Sequence, residues 1–215
     1  MSKLTLTFDN GPEPEVTPRV LDILARRGLK TTFFVVGQKL LDPERMELAM
    51  RAREEGHRIG NHTFTHSTPL GQMEDASDAV AELERTDALV AETGETGKLF
   101  RPFGGGGKLG PHLLNPQVVE FLHNKAYSCI LWNAIPRDWA DPEGWVERAL
   151  EQITSQEHTL MVLHDLPTGA MADLEAFLDR AEASGADFDT SFPKECVPML
   201  DGKDMMPLAP YVAAA

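Results

Sequence analysis

Short apolar runs alternate along this chain with longer segments whose apolar residues recur every three or four positions. Residues 4–8, Leu4-Thr5-Leu6-Thr7-Phe8, alternate apolar and polar, which is the period of a strand. Residues 17–27 place Val20, Leu21, Ile23 and Leu24 on one stripe with Gly28 behind them, the mark of a helix and its stop. Residues 31–36 are β-branched and aromatic, predicting a buried strand. A helix over 43–55 closes at Gly56, and a short strand follows at 57–60. The segment 73–93 reads as a long amphipathic helix with Ala79, Val80, Leu83, Leu89 and Val90 inward. Strands are predicted at 98–101, 127–132 and 159–163, and helices at 115–124, 142–153 and 170–183. From Asp187 the chain is proline-rich and irregular, with a short strand near Val197.

This βαβα rhythm implies a parallel sheet with crossover helices. Asp9, His62, Arg101, Asp138 and His164 all fall at or just past the C-terminal end of a strand. In a barrel of parallel strands that end carries the active site. There is no internal repeat, low-complexity tract or linker, so residues 1–215 are expected to form one domain.

Of 215 residues, 42% are hydrophobic and 25% charged, as in ordinary globular proteins. The net charge of -14 argues against nucleic acid and anionic membranes as partners. The first residues lack the charged start, apolar stretch and small-residue site of a signal peptide. No apolar run approaches a membrane span, and the expected location is the cytoplasm. Cys129 and Cys196 fit no metal spacing and no disulfide framework. Cys129 lies in an apolar run and reads as a buried thiol.

Several residues could carry chemistry. Asp9-Asn10-Gly11-Pro12 is good turn chemistry, yet it also sets an acid and an amide beside a strand end. His62 and His66 share a face if their segment is a helical turn, and both then reach one ion; such pairs also arise by chance. Arg101 precedes Pro102-Phe103 and four glycines. Those glycines are either a loose loop or a backbone able to approach a ligand and aim an amide at an oxyanion. They lack the spacing of a phosphate-binding loop. Trp139, beside Asp138, is either a sugar-facing wall or a core residue. His164 closes an apolar strand, a position suited to a general acid. His57, His112, His123 and His158 read as surface or structural.

The order Thr7-Phe8-Asp9-Asn10-Gly11-Pro12, His62-Thr63-Phe64-Thr65-His66, Arg101-Pro102-Phe103-Gly104-Gly105, Arg137-Asp138-Trp139 and Leu160-Met161-Val162-Leu163-His164 resembles the five-motif series of the polysaccharide deacetylases, carbohydrate esterase family four. The resemblance spans residues 4 to about 165. It implies an α/β fold, a distorted parallel (β/α) barrel with about seven strands. It implies metal-dependent removal of N- or O-acetyl groups from sugars. By position, Asp9 would be the general base, with Arg101 holding it ionised and oriented. Asn10, His62 and His66 would hold a divalent metal, zinc first, with cobalt or nickel as alternatives. Asp138 would orient His164, the acid that protonates the leaving amine. Phe103, Gly104 and Trp139 would line the acyl pocket.

Two departures stand out. Asn10 occupies the place of the family's usual Asp, so weaker metal binding is expected. Phe103-Gly104 stands where Pro-aromatic is common, which alters the aromatic wall of the pocket. An acetylated sugar is the expected substrate. A small linear or cyclic amide, as for allantoinase-like relatives of this fold, is the alternative, and a non-catalytic carbohydrate-binding barrel is a third reading.

Overall fold

The computed structural model describes residues 2–214. In chain order the elements are β1 (Lys3–Asp9), α1 (Thr17–Arg26), β2 (Thr32–Val35), α2 (Pro43–Glu54), β3 (Arg58–Asn61), α3 (Ala76–Glu92), β4 (Leu99–Phe100), α4 (Pro116–Asn124), β5 (Ser128–Cys129), α5 (Trp145–Thr154), β6 (His158–His164), α6 (Leu174–Ala183), β7 (Asp187–Asp189), β8 (Met199–Leu200) and β9 (Lys203–Asp204). The sheet runs β6-β1-β2-β3-β4-β5-β8-β9, with β7 also paired to β1. Strands β1 to β7 pair in parallel, and β8 and β9 add an antiparallel extension. An isolated parallel bridge, Ala134↔Met161, ties the segment after β5 back to β6. The result is a curled α/β sheet flanked by helices, a distorted (β/α) barrel.

Alternation in the strands sorts the interior. Leu4, Leu6 and Phe8 of β1 join a core with Val20, Leu21, Ile23 and Leu24 of α1. Met161 and Leu163 of β6 belong to the same core. The intervening positions Thr5, Thr7 and Asp9 are buried on the other face of β1, inside the curl. The α1 stripe is fully buried, and each such aliphatic side chain contributes about 1.5–3 kcal/mol. Side-chain caps start three helices: Asp42 accepts from Glu44, Asp75 from Ser77 and Asn115 from Val118.

The differences from expectation have local causes. The strand expected over 127–132 pairs regularly only at Ser128–Cys129. Beyond it Ile130 and Leu131 are buried, but their amides donate to Phe100 and Cys196 carbonyls on different segments. The helix expected from residue 73 begins at Ala76, where Asp75 caps it. Glu82 and Thr86 join Ala79, Leu83 and Val90 on its buried face. The tail holds three strands; β7 is fixed to β1 partly by an ion pair from Lys3 to Asp189 at 2.8 Å. Cys129 and Cys196 are free and buried, which pushes both thiols up to about 12. Among the described residues, no helix is long and apolar enough to cross a membrane.

Candidate active site

Asp9 ends β1 and His164 ends β6, and the two are register partners on neighbouring parallel strands. Their side chains therefore leave the same face of the sheet, into the curl. Each is braced from behind. Arg101, fully buried, donates from Nη1 to Asp9 Oδ1 at 2.8 Å and to Thr7 Oγ1 at 2.6 Å. Its Nε and Nη2 reach the Ile130 and Leu131 carbonyls, both at 3.2 Å. The guanidinium lies 4.1 Å from the Phe34 ring centroid. A buried cation so paired is costly to disturb, because removing one partner strands the other charge.

Asp138 is likewise fully buried, in the loop before α5. Its two oxygens accept from the His164 backbone amide at 2.8 Å and from His164 Nδ1 at 2.9 Å. Nδ1 therefore carries a proton, and Nε2 is the nitrogen left for the pocket. Burial acts to lower the His164 pKa, but the bond to Asp138, its charge and those of Asp9 and Asp165 together outweigh it, and the net shift is upward. Trp139 packs edge-on against the His164 ring at 4.7 Å.

The histidine pair is not built on a helical turn. His62 follows β3, and the chain then turns through left-handed residues Thr63 (φ 67°) and His66 (φ 51°). Asn61 Oδ1 accepts the Thr63 amide at 3.0 Å and sets that turn. The two rings come to 4.8 Å between centroids by this route. His62 Nδ1 donates to the Arg101 carbonyl at 2.8 Å, so Nε2 is the lone-pair nitrogen, 3.6 Å from Asp9 Oδ2. Burial pushes both imidazoles down to about 3, which keeps them neutral and able to ligate.

Sequence reasoning missed what holds this loop. Glu82 of α3, buried, accepts the Phe64 amide at 2.9 Å and the Thr65 amide at 2.7 Å. One turn on, Arg85 lays its guanidinium 3.5 Å from the Phe64 ring centroid. A glutamate on the apolar stripe of a helix is the signal that could have marked it. Thr7 was also missed; its hydroxyl donates to the Met161 carbonyl while accepting from Arg101.

Asn10 adopts φ 75°, a left-handed conformation that asparagine tolerates better than most residues. Its Oδ1 is buried without a hydrogen-bond partner among the described residues. An orphaned amide oxygen beside two neutral imidazoles suits a divalent cation of the zinc type, which accepts mixed nitrogen and oxygen donors. The set is poorer than usual: among the described residues no cluster of three or more His, Cys, Asp or Glu is arranged to hold a metal. The third donor here is the neutral amide.

The glycine loop makes one wall. A Cβ on Gly104 would meet the Trp132 ring at 2.7 Å, so only glycine lets that indole approach. Trp132 Nε1 donates to the Gly107 carbonyl at 2.9 Å, and His112 Nε2 donates to the Gly104 carbonyl at 3.1 Å. His112 is thus structural, as expected. Phe103 packs on His66 at 4.0 Å. The cavity is about 190 Å³, lined by Asp9, Asn10, His62, His66, Phe103, Gly104, Trp139 and His164 among others. Arg101 and Asp138 stand behind it.

Residues 2–113 match the polysaccharide deacetylase family. The chain is 34% identical to the chitooligosaccharide deacetylase of Rhizobium leguminosarum over 75% of its length and 67% of that protein. It is 32% identical to the peptidoglycan-N-acetylglucosamine deacetylase of Bacillus cereus over 75% of its length and 72% of that protein. Its fold superposes on the family 4 carbohydrate esterase of Streptomyces lividans, solved in complex with acetate, with a TM-score of 0.72 at 25% identity, over 91% of this chain and 96% of that one.

Proposed function

Because this chain belongs to the polysaccharide deacetylase family, we propose that it hydrolyses acetyl groups from N-acetylated sugars, with Asp9 as base and His164 as acid, and that residues 1–215 act as one catalytic domain. The observation that carries this reading is the register pair Asp9↔His164, two proton carriers side by side, each with its own buried partner. Chito-oligosaccharides and peptidoglycan fragments are the substrate classes of its relatives, and both present an N-acetyl group on a sugar.

The chemistry divides among the chain's own groups. Asp9, fixed by Arg101, takes a proton from the water that attacks the acetyl carbonyl. A backbone amide near Phe103 or Gly104 donates to the oxygen as it gains charge. His164 then gives the Nε2 proton to the departing nitrogen, and Asp138 stabilises the imidazolium before that transfer. Trp139 and Phe103 shape the space for the methyl group. Asn10, His62 and His66 would hold a divalent ion, zinc best suited and cobalt or nickel next. When bound, that ion supplies polarisation of the carbonyl and of the water. General acid and general base steps are each worth roughly 10²–10⁴-fold.

The test is acetate release from N-acetylated chito-oligosaccharides and peptidoglycan fragments. Wild-type protein should release acetate from at least one class, and Asp9→Asn should fall by roughly 10²-fold or more while remaining folded. No acetate from either, or full turnover in Asp9→Asn, would overturn the assignment.

A further inference from the structure

A second cavity, about 560 Å³, opens at the opposite end of the sheet. Arg58, Leu99 and Ser128, the first residues of β3, β4 and β5, line it, and the tail from Phe192 to Met205 closes it. Its size lies within the roughly 300–1,000 Å³ of small-molecule sites, and like them it is mainly apolar with few polar groups. Leu99, Ile130, Val197 and Leu200 form the apolar wall.

The polar end is the Arg58 guanidinium. It lies 4.3 Å from the Phe192 ring centroid and donates to the Thr190 carbonyl, and it makes no ion pair with a carboxylate among the described residues. Stacking fixes its plane and leaves further N–H donors free. Burial draws its pKa below the usual guanidinium range, with Glu95 offsetting this only in part. Glu95 is itself engaged by Arg53 at 3.4 Å and by the Ile59 amide. Lys194 adds a second cation to the lining, also without a carboxylate partner among the described residues. The one acid in the lining, Asp201, accepts from Ser128 Oγ at 3.1 Å. The chain's net charge of -14 repels anions at long range, but beyond about 8 Å that field is screened in physiological salt. At contact, a planar guanidinium can pair in a two-bond fork with a planar carboxylate, a head group small enough to leave the apolar wall to its tail.

We propose that this cavity binds a small amphipathic carboxylate, its head group on Arg58 and its hydrocarbon or aryl portion against the Leu99–Ile130–Val197–Leu200 wall. The site is separate from the acetyl-transfer chemistry and does not depend on it. Leu200 is 44% exposed and forms the rim, so a larger side chain there can fill the space without entering the core.

The test is calorimetric titration of the full chain with octanoate and, separately, with octylamine. Octanoate should saturate one site per chain and octylamine should not. Arg58→Leu should weaken octanoate roughly tenfold or more, the scale of a lost charge-assisted bond. Leu200→Trp should block binding while deacetylation continues at the wild-type rate. No saturable octanoate binding, equal binding of the amine, or Leu200→Trp binding as tightly as wild type would overturn the proposal. If Arg58→Leu does not fold, Leu200→Trp decides alone.

Discussion

Glu82→Ala should damage metal binding without touching a ligand. The carboxylate accepts two of the three amides that lie between the two histidines, those of Phe64 and Thr65. Alanine leaves the buried Phe64 N–H unpaired, at roughly 1–3 kcal/mol, and hands the exposed Thr65 N–H to water at a smaller cost. The variant also regains part of the cost of burying a carboxylate, so a net loss of about 1–3 kcal/mol is expected. That is a large share of the roughly 5–15 kcal/mol that stabilises a domain. Arg85 still packs on Phe64, so the loop should loosen rather than detach. Glu82→Gln keeps the volume and one acceptor and should lose about 1 kcal/mol. Urea unfolding of chelated protein gives the stability, and chelator-competition titration with zinc gives the affinity. The expected order in both is wild type, Gln, then Ala. If Ala loses stability but binds zinc like wild type, Glu82 does not set the ligand geometry.

Other predictions rest on single contacts. Asp138→Asn removes the charge and one of the two acceptor oxygens that face His164, so the raised His164 pKa should fall and the alkaline limb of the pH–rate profile should move to lower pH; an unmoved limb would remove His164 as the acid. Asn10→Asp adds a carboxylate at an oxygen that already lacks a partner, and should tighten zinc on the order of tenfold in the same competition titration; weaker binding would argue that Asn10 faces away from the ion. Metal-free protein should lose stability on acidification, read as urea midpoints at stepped pH. His57, held to about 4 by burial, and His62 and His66, held to about 3, ionise from 6.5 in the unfolded chain, so their contribution is complete above 6.5 and drains as pH falls toward those values. Asp165, raised to about 6 from 3.8, opposes them between those two values, and His164, raised, contributes fully below 6.5 and adds no slope there. Three histidines against one acid give a net loss, and a midpoint that holds steady down to about 4 would refute the burial argument.

Periodicity located β1, β6 and α1 because in each the pattern and the burial agree: Leu4, Leu6 and Phe8 alternate with Thr5, Thr7 and Asp9, and the α1 stripe is wholly inward. It extended the fifth strand too far because burial of Ile130 and Leu131 does not require a single pairing partner. It gave β7 no signal, since three residues with charged ends carry no pattern. Five strand-end residues were visible as candidates, and the structure brings all of them to one end of the curl. The histidine pair was legible by spacing but for the wrong reason: two left-handed residues bring the rings together, and backbone sign is not written in a residue's polarity. The supports were the least visible. Thr7 looks like any strand threonine, and Glu82 looks like a solvated helix charge until α3 turns it inward.

In the proposed reaction a metal held by Asn10, His62 and His66 works with Asp9 and His164 in sugar deacetylation. The most direct measurement is acetate release from an N-acetylated chito-oligosaccharide by chelated protein, before and after adding one equivalent of zinc, in wild type and in the His62→Ala, His66→Ala double variant. Chelated wild type should release none, zinc should restore release, and the variant should release none in either state. Release at full rate from chelated wild type, or from the double variant, would rule out this metal-dependent mechanism.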